Sequence, residues 1–231
     1  GRVIVIFVIL GALLLAAITL PQLWVKRVMT RYDGPDYRYQ QSGGELARIL
    51  LDRYGLKHVK LEVTQEGDHY DPRDQTVRLS ESNHSGRSLT AITIAAHEVG
   101  HAIQDDTGYA PMALRSKLIG KTMGAERVGA MILMAAPVFA VVARRPFPAL
   151  ILFLAGLISM GAPVAVHLAT LPVEFDASFN RALPILKAGD HLKPEDEQAA
   201  HKLLKAAAFT YVAGSLGSLL NFWKWLKVIR R

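Results

Sequence analysis

Residues 95–105 read AAHEVGHAIQD, and the architecture of the chain turns on how this stretch is read. His97 and His101 stand four apart, with Glu98 beside the first. In a chain of 231 residues with 8 His, an accidental H-E-x-x-H is expected roughly one time in a hundred. The preceding SLTAITIAA (residues 88–96) is apolar and helix-forming, and Ser88 suits the N-cap position. On a helix the two imidazoles lie one turn apart on one face and can share one ion. Glu98 projects about 100° away, from where it can address a water on that ion. The competing reading is two satisfied histidines in a buried helix, and the rarity of this pattern without a metal weighs against it.

The composition sets the surroundings of that helix. The chain is basic, at formal charge +7 and pI near 9.7, yet 51% of its residues are hydrophobic, which is high for a soluble domain. Four uncharged runs account for it: 3–25, 128–143, 146–173 (where His167 is the one ionisable group) and 206–223. A span needs about 20 apolar residues. The first, third and fourth runs meet that, and the second is marginal but forms a tight hairpin with the third. Trp24, Trp223 and Trp225 fall at run ends, where interfacial aromatics belong. The expectation is a predominantly α-helical integral membrane protein with four transmembrane helices. The first run reads as a retained anchor: its apolar stretch is too long for a signal-peptide core, and Pro21-Gln22-Leu23-Trp24 is a poor cleavage site.

The absence of cysteine excludes disulfides, thiolate metal sites and a cysteine nucleophile. Basic residues cluster beside the apolar runs: Lys26, Arg27 and Arg31; Lys117, Lys121 and Arg127; Arg144 and Arg145; Lys224, Lys227, Arg230 and Arg231. That pattern suits lipid headgroups and topology, and no aromatic-interleaved basic stripe points to nucleic acid.

The polar remainder opens with a capping box, Ser42-Gly43-Gly44-Glu45, and a helix over ELARILLDRY (45–54) stopped at Gly55. HVKLEVT (58–64) alternates and reads as a strand, DHYDPRD (68–74) as a turn, and TVRLS (76–80) as a second strand. With the H-E-x-x-H helix this makes a small α+β unit. A later polar piece holds LPVEFDASFNRA (171–182) and a helix start at Lys193-Pro194-Glu195-Asp196-Glu197, a helix expected to run on into the fourth span. The domain boundaries are therefore 1–29 for the first anchor, 30–127 for the catalytic domain, 128–173 for the hairpin, 174–204 for the segment completing the site, and 205–231 for the fourth helix and basic tail. A hairpin between the two polar pieces places both on one side of the membrane.

A catalytic zinc site usually has three protein ligands and an open fourth position. His58, His69, His84, His191, His201 and nearby carboxylates are the pool for the third. Glu174 is the choice, because it follows directly on an apolar run, beside Phe175, where an uncompensated carboxylate is costly to desolvate. The alternative is a headgroup-level glutamate paired with Arg181.

Several motifs in order, DHYDPR…TVRLSE, AAHEVGHAIQD…GYAP…LRS, TLPVEFDAS and AAFTYVA, resemble the YugP-type family of neutral zinc metallopeptidases, and the likeness covers most of the chain. The resemblance implies a zincin-like catalytic domain on a four-helix membrane bundle, Zn2+ as cofactor, and the glutamate of VEF, here Glu174, as third ligand. EFDAS is also similar to a stretch of membrane gluzincins such as the HtpX-type and CAAX prenyl proteases. Where those carry Asp this chain has Ser178, and no role is carried over to it.

The expected chemistry is peptide hydrolysis, with zinc held by His97, His101 and Glu174 lowering the pKa of a water to about 7. Glu98 is the general base that returns the proton to the leaving amine. His69, Tyr70, Tyr109 and Tyr211 are candidates for a second electrophile, with Tyr211 favoured because TYVA belongs to the resembling motif. Asp105, one turn beyond His101, could orient that imidazole; its alternative is a solvated acid at a helix end. Thr76, Val77, Arg78 and Leu79 are read as an edge strand on which an extended substrate pairs. His167, inside the third span, is a functional candidate by default; its alternative is a polar residue near the span end.

An intramembrane site-2-type protease is disfavoured, because the apolar run before His97 (89–96) is too short to cross. A non-catalytic zinc-binding scaffold or complex subunit has no need for Glu98. Small residues Ala213, Gly214, Gly217 and Ser218 suit close packing within the chain, in a homo-oligomer or against a membrane-protein partner. Expected substrates are membrane-associated proteins or peptides. The expected location is a bacterial inner or plasma membrane; flanking charge stands on both faces, and the likeness to cytosol-facing gluzincins favours a cytoplasmic catalytic domain.

Overall fold

The computed structural model describes residues 2–34, 37–144 and 146–220, so that Arg145, Trp223, Trp225 and the basic residues Lys224, Lys227, Arg230 and Arg231 lie outside the described residues. In chain order the elements are α1 (Arg2–Arg31), α2 (Gly43–Arg53), β1 (Lys60–Thr64), β2 (His69–Asp71), β3 (Thr76–Ser80), α3 (Glu81–Ser85), α4 (Leu89–Asp106) and α5 (Ala110–Ala143). There follow α6 (Pro146–Met160), α7 (Ala162–Ala169), α8 (Leu171–Phe175), a π-helical segment (Asp176–Ala182), α9 (Leu183–Ala188), a 3-10 turn (Pro194–Asp196) and α10 (Glu197–Ser218). The protein is thus predominantly helical with one small sheet.

The described residues divide into two compact units. The first comprises Leu23–Ser116 and Thr170–Thr210, and α4 is its axis. Every residue of α4 from Leu89 to Gln104 is buried. Ser88 caps it, its Oγ accepting from the Ala91 N–H at 3.0 Å. On one side Leu46, Ala47, Leu50 and Leu51 of α2 pack into the core; Val173, Leu186, Leu203 and Leu204 contribute to the same core. The capping box of α2 closes in both directions: Ser42 N–H donates to Glu45 at 2.8 Å and Glu45 N–H to Ser42 Oγ at 3.1 Å. The helix stops where Gly55 takes φ 78°. Leu56 N–H then reaches the Leu51 carbonyl at 2.7 Å and Gly55 N–H that of Asp52 at 3.2 Å, a Schellman ending with Leu51 and Leu56 both buried beneath it.

The sheet has the order β1-β3-β2, with β1 parallel to β3 (Lys60 opposite Thr76) and β2 antiparallel to it (His69 opposite Arg78). This corrects the reading of Thr76, Val77, Arg78 and Leu79 as an edge strand. β3 is the central strand, paired with β1 over Thr76–Ser80 and with β2 over Thr76–Arg78, so it is not an edge to which an extended peptide adds. The edges are β1 and β2. β2 itself lies inside the DHYDPRD stretch read as a turn. Asp68 fixes that stretch: it accepts from Ser80 N–H at 2.8 Å and from Asn83 Nδ2 at 2.8 Å.

The other unit, within the described residues, comprises 2–22, 117–144, 146–169 and 211–220. Two helical stretches here and at its border are long and apolar enough to cross a membrane, Val8–Arg31 and Leu150–Ala169. Only 11% of each apolar window is buried, so most of their large side chains face outward, as lipid-facing helices do. Among the described residues the second and fourth apolar runs do not meet that measure. The helices of the 128–173 stretch cross where side chains are smallest: a Cβ at Gly129 would stand 2.8 Å from the Gly156 carbonyl oxygen. In the last helix Gly217 lies against Gln22, whereas Gly214 has open space.

In the first unit, Asp196 ties the start of α10 to the loop before α2. Arg38 Nε donates to its Oδ2 at 2.7 Å, and Arg38 Nη2 and Tyr39 O–H also donate to it. Burial would raise the Asp196 carboxyl, but these donors outweigh it and hold it below its ordinary value, about 3.9. A depressed folded-state pKa contributes stability that is complete above the unfolded value and is lost as pH falls through the folded one. Asp196→Asn is therefore expected to lower the melting temperature at pH 6 and to flatten its dependence on pH between about 5 and 3; an identical pH profile in wild type and variant would contradict this.

Candidate metal centre

Two elements build the site, α4 from one side and the α8–π segment from the other. Their approach depends on a residue inside the motif. A Cβ at Gly100 would lie 2.8 Å from the Ala177 carbonyl oxygen, so in H-E-V-G-H only glycine admits this contact. Within the opposing segment the buried residues are Val173 and Glu174 of α8 and Ala177, Ser178 and Ala182 of the π-helical stretch, and Glu174 and Ser178 both reach the histidines of α4.

His97, His101 and Glu174 come together, each at most 2% exposed. Glu174 Oε2 is 3.3 Å from His97 Nε2 and 3.1 Å from His101 Nε2. The two rings stand 4.7 Å apart and nearly perpendicular, at 81°. Their outer nitrogens decide what the inner ones can do. Ser178 Oγ donates its proton to the Leu204 carbonyl at 3.0 Å, so at 2.9 Å from His97 Nδ1 it accepts. Gln104 Nε2 spends its protons on the Val173 carbonyl (2.9 Å) and Asp176 Oδ2 (2.8 Å). Its Oε1, 2.8 Å from His101 Nδ1, therefore accepts as well. With both Nδ1 atoms donating outward, each neutral ring turns a bare Nε2 lone pair inward.

In the neutral form of both rings these are three converging lone-pair donors, an arrangement that suits a cation. The spacing fits zinc: tetrahedral arms of 2.0–2.1 Å imply edges of about 3.3 Å between ligand atoms. Among the described residues no fourth histidine or carboxylate joins the group.

Glu98 is 4% exposed, and its Oε2 has no hydrogen-bond partner among the described residues. Burial pushes its carboxyl up to about 7, against the pull of His97, with Asp68 and Glu174 adding to the rise. Glu174 behaves oppositely. Burial would raise it, but His101, when its Nε2 is protonated, and Arg115 beside it hold it well below the usual carboxylate range.

The remaining residues singled out in the sequence fall elsewhere. Asp105 accepts from Tyr70 O–H at 2.7 Å, joining α4 to β2, and it is Gln104 that engages His101. His69 Nδ1 meets the Gly67 carbonyl at 2.8 Å. Arg181 pairs with Asp176 at 2.8 Å and lies over Tyr109, so it is not the partner of Glu174. That partner is Arg115, whose Nη2 is 2.6 Å from Glu174 Oε1. Tyr211 belongs to the other unit, where its ring stacks on His167 at 5.3 Å. Gln104, Arg115 and Ser178 went unassigned in the sequence. Only the i+3 spacing of Gln104 from His101 offered a signal, since the others depend on tertiary placement.

Comparison with known proteins fits this geometry. The family described as "Putative neutral zinc metallopeptidase" matches residues 5–230, and the chain belongs to that family of zinc peptidases. It is 35% identical over 209 residues, 90% of this chain and 89% of the other, to the "Putative membrane protease YugP" of Bacillus subtilis (strain 168). No solved structure matches. Zinc is the metal that this membership implies.

Two measurements test the centre. Purified wild type is expected to carry close to one zinc per chain and Glu174→Ala to lose most of it; full retention would remove Glu174 from the ligands. Gln104→Ala is expected to weaken zinc binding by about 10–100-fold, as loss of a hydrogen-bonded support to a ligand does, measured by chelator competition.

Proposed function

We propose that this chain is a multi-pass membrane zinc metalloendopeptidase, in which His97, His101 and Glu174 hold the metal and Glu98 is the general base. The observation that carries the reading is the convergence of three buried lone-pair donors next to a buried carboxylate oxygen without a partner. A purely structural zinc site is normally closed by four protein ligands; three donors and an adjacent base favour catalysis over a scaffold role.

When bound, zinc supplies Lewis acidity toward the scissile carbonyl and a water of lowered pKa. The chain's own residues do the rest. Ser178 and Gln104 hold the imidazoles in the tautomer that ligates. Glu98 takes a proton from the attacking water and passes it to the leaving amine nitrogen, a role suited to a carboxyl that titrates near neutrality.

The proposed organisation keeps residues 30–127 and 174–204 as the catalytic part, on spans within 1–29, 128–173 and 205–231. The two helices long and apolar enough to cross a membrane support the first span and one of the hairpin pair. The apolar run before His97 (89–96) is too short to cross, which favours a catalytic helix outside the bilayer. Glu174 follows directly on an apolar run, which favours a site near the membrane surface, cytoplasmic in a bacterial inner membrane. Membrane-associated proteins are the proposed substrates.

Glu98→Gln is the direct test, with purified enzyme and an unstructured protein such as casein. Turnover is expected to fall at least about 100-fold, the usual contribution of a general base, with zinc content unchanged. Wild-type turnover in this variant would refute the role of Glu98. Zinc content without peptidase activity in any wild-type preparation would favour the scaffold.

A further inference from the structure

Arg115 is 6% exposed, and its neighbour is a carboxylate whose other oxygen faces the two ligand imidazoles. Nη2 lies 2.6 Å from Glu174 Oε1, an ion pair without an aligned hydrogen bond, while Oε2 is 3.1 and 3.3 Å from the histidine Nε2 atoms. Nη1 rests against Met112 Sδ at 3.8 Å, one turn earlier on α5. We propose that Arg115 is a positioning residue that divides the Glu174 carboxylate, occupying one oxygen so that only the other is left to the metal. This rests on the ligand set proposed above and not on peptidase activity.

The physical case has three parts. A carboxylate with both oxygens accessible can ligate through one or through both, and the second mode fills the position a catalytic zinc keeps open. Arg115 removes that choice. Second, charge: Arg115 offsets the charge of Glu174, so a bound metal would keep more of its own charge. Third, a buried ion pair is weak evidence for stability, because an apolar residue of similar size often serves as well. A buried arginine beside a metal ligand therefore points to placement. A guanidinium suits it, being always charged and planar. Arg115 is too enclosed to touch substrate, so its effect runs through Glu174.

Cobalt(II) in place of zinc reports the coordination directly, since four-coordinate sites absorb visible light much more strongly than five-coordinate ones. Wild type is expected to show the intense bands. Arg115→Met is expected to retain the metal but lose most of that intensity, and Arg115→Lys to restore it. Unchanged bands in Arg115→Met would overturn the proposal. Should that variant not fold, Arg115→Gln keeps a polar group and loses the charge; weakened bands are expected there too, and wild-type bands would overturn the proposal equally. Metal loss in Glu174→Ala alongside unchanged bands in the Arg115 variants would refute this inference alone. Metal retention in Glu174→Ala would refute the ligand set beneath it.

Discussion

The contact on which the centre depends is that between Gly100 and the carbonyl of Ala177. The distances from the histidines to Glu174 and Ser178 follow from how closely α4 and the segment of α8 and the π-helical stretch approach, and a single methyl group at residue 100 would force them apart. That approach buries Glu174 against two imidazoles, delivers Ser178 to His97, and places Gln104 between Val173 and Asp176. Gln104 is thus more than a support for one histidine. Its amide joins the second ligand to backbone and side chain on either side of the third, so the ligands from the two segments are held in common register.

The electrostatics sort the two acids of the site into different roles. Glu98 and Glu174 are equally enclosed, yet one is pushed toward neutrality and the other held firmly ionised. The difference lies in their neighbours. Glu174 has Arg115 on one oxygen and the histidines on the other, whereas at Glu98 burial outweighs the pull of His97 and Arg115, with Asp68 and Glu174 adding to the rise. A fixed anion and a titrating base is the division of labour that metal-assisted hydrolysis requires.

What could be read in the chain was what depends on neighbours along it. The H-E-x-x-H helix, its Ser88 cap, the Ser42–Glu45 capping box and the stop at Gly55 all rest on interactions within a few residues. The first apolar helix and that over Leu150–Ala169 were legible for the same reason. Glu174 could be singled out because a carboxylate at the end of an apolar run needs a partner, although the sequence pointed as readily to Arg181 as to a metal. Strand order could not be read, since nothing in TVRLS distinguishes a central strand from an edge. β2 was hidden because three residues of strand sit among turn formers. Arg115 and Ser178 were out of reach because the π phasing and the packing of α5 decide what they touch.

The separation of 73 positions between His101 and Glu174 also carries a consequence in time. A ribosome adding 5–20 residues per second needs roughly 4–15 s to pass from one to the other. During that interval the nascent chain holds a pair of histidines and no third donor, and the Leu204 carbonyl that orients Ser178 is later still. Neither tight capture of an ion nor hydrolysis is open to so incomplete a centre. The order of these residues along the chain thus delays a complete centre until the apolar helices between them have been synthesised.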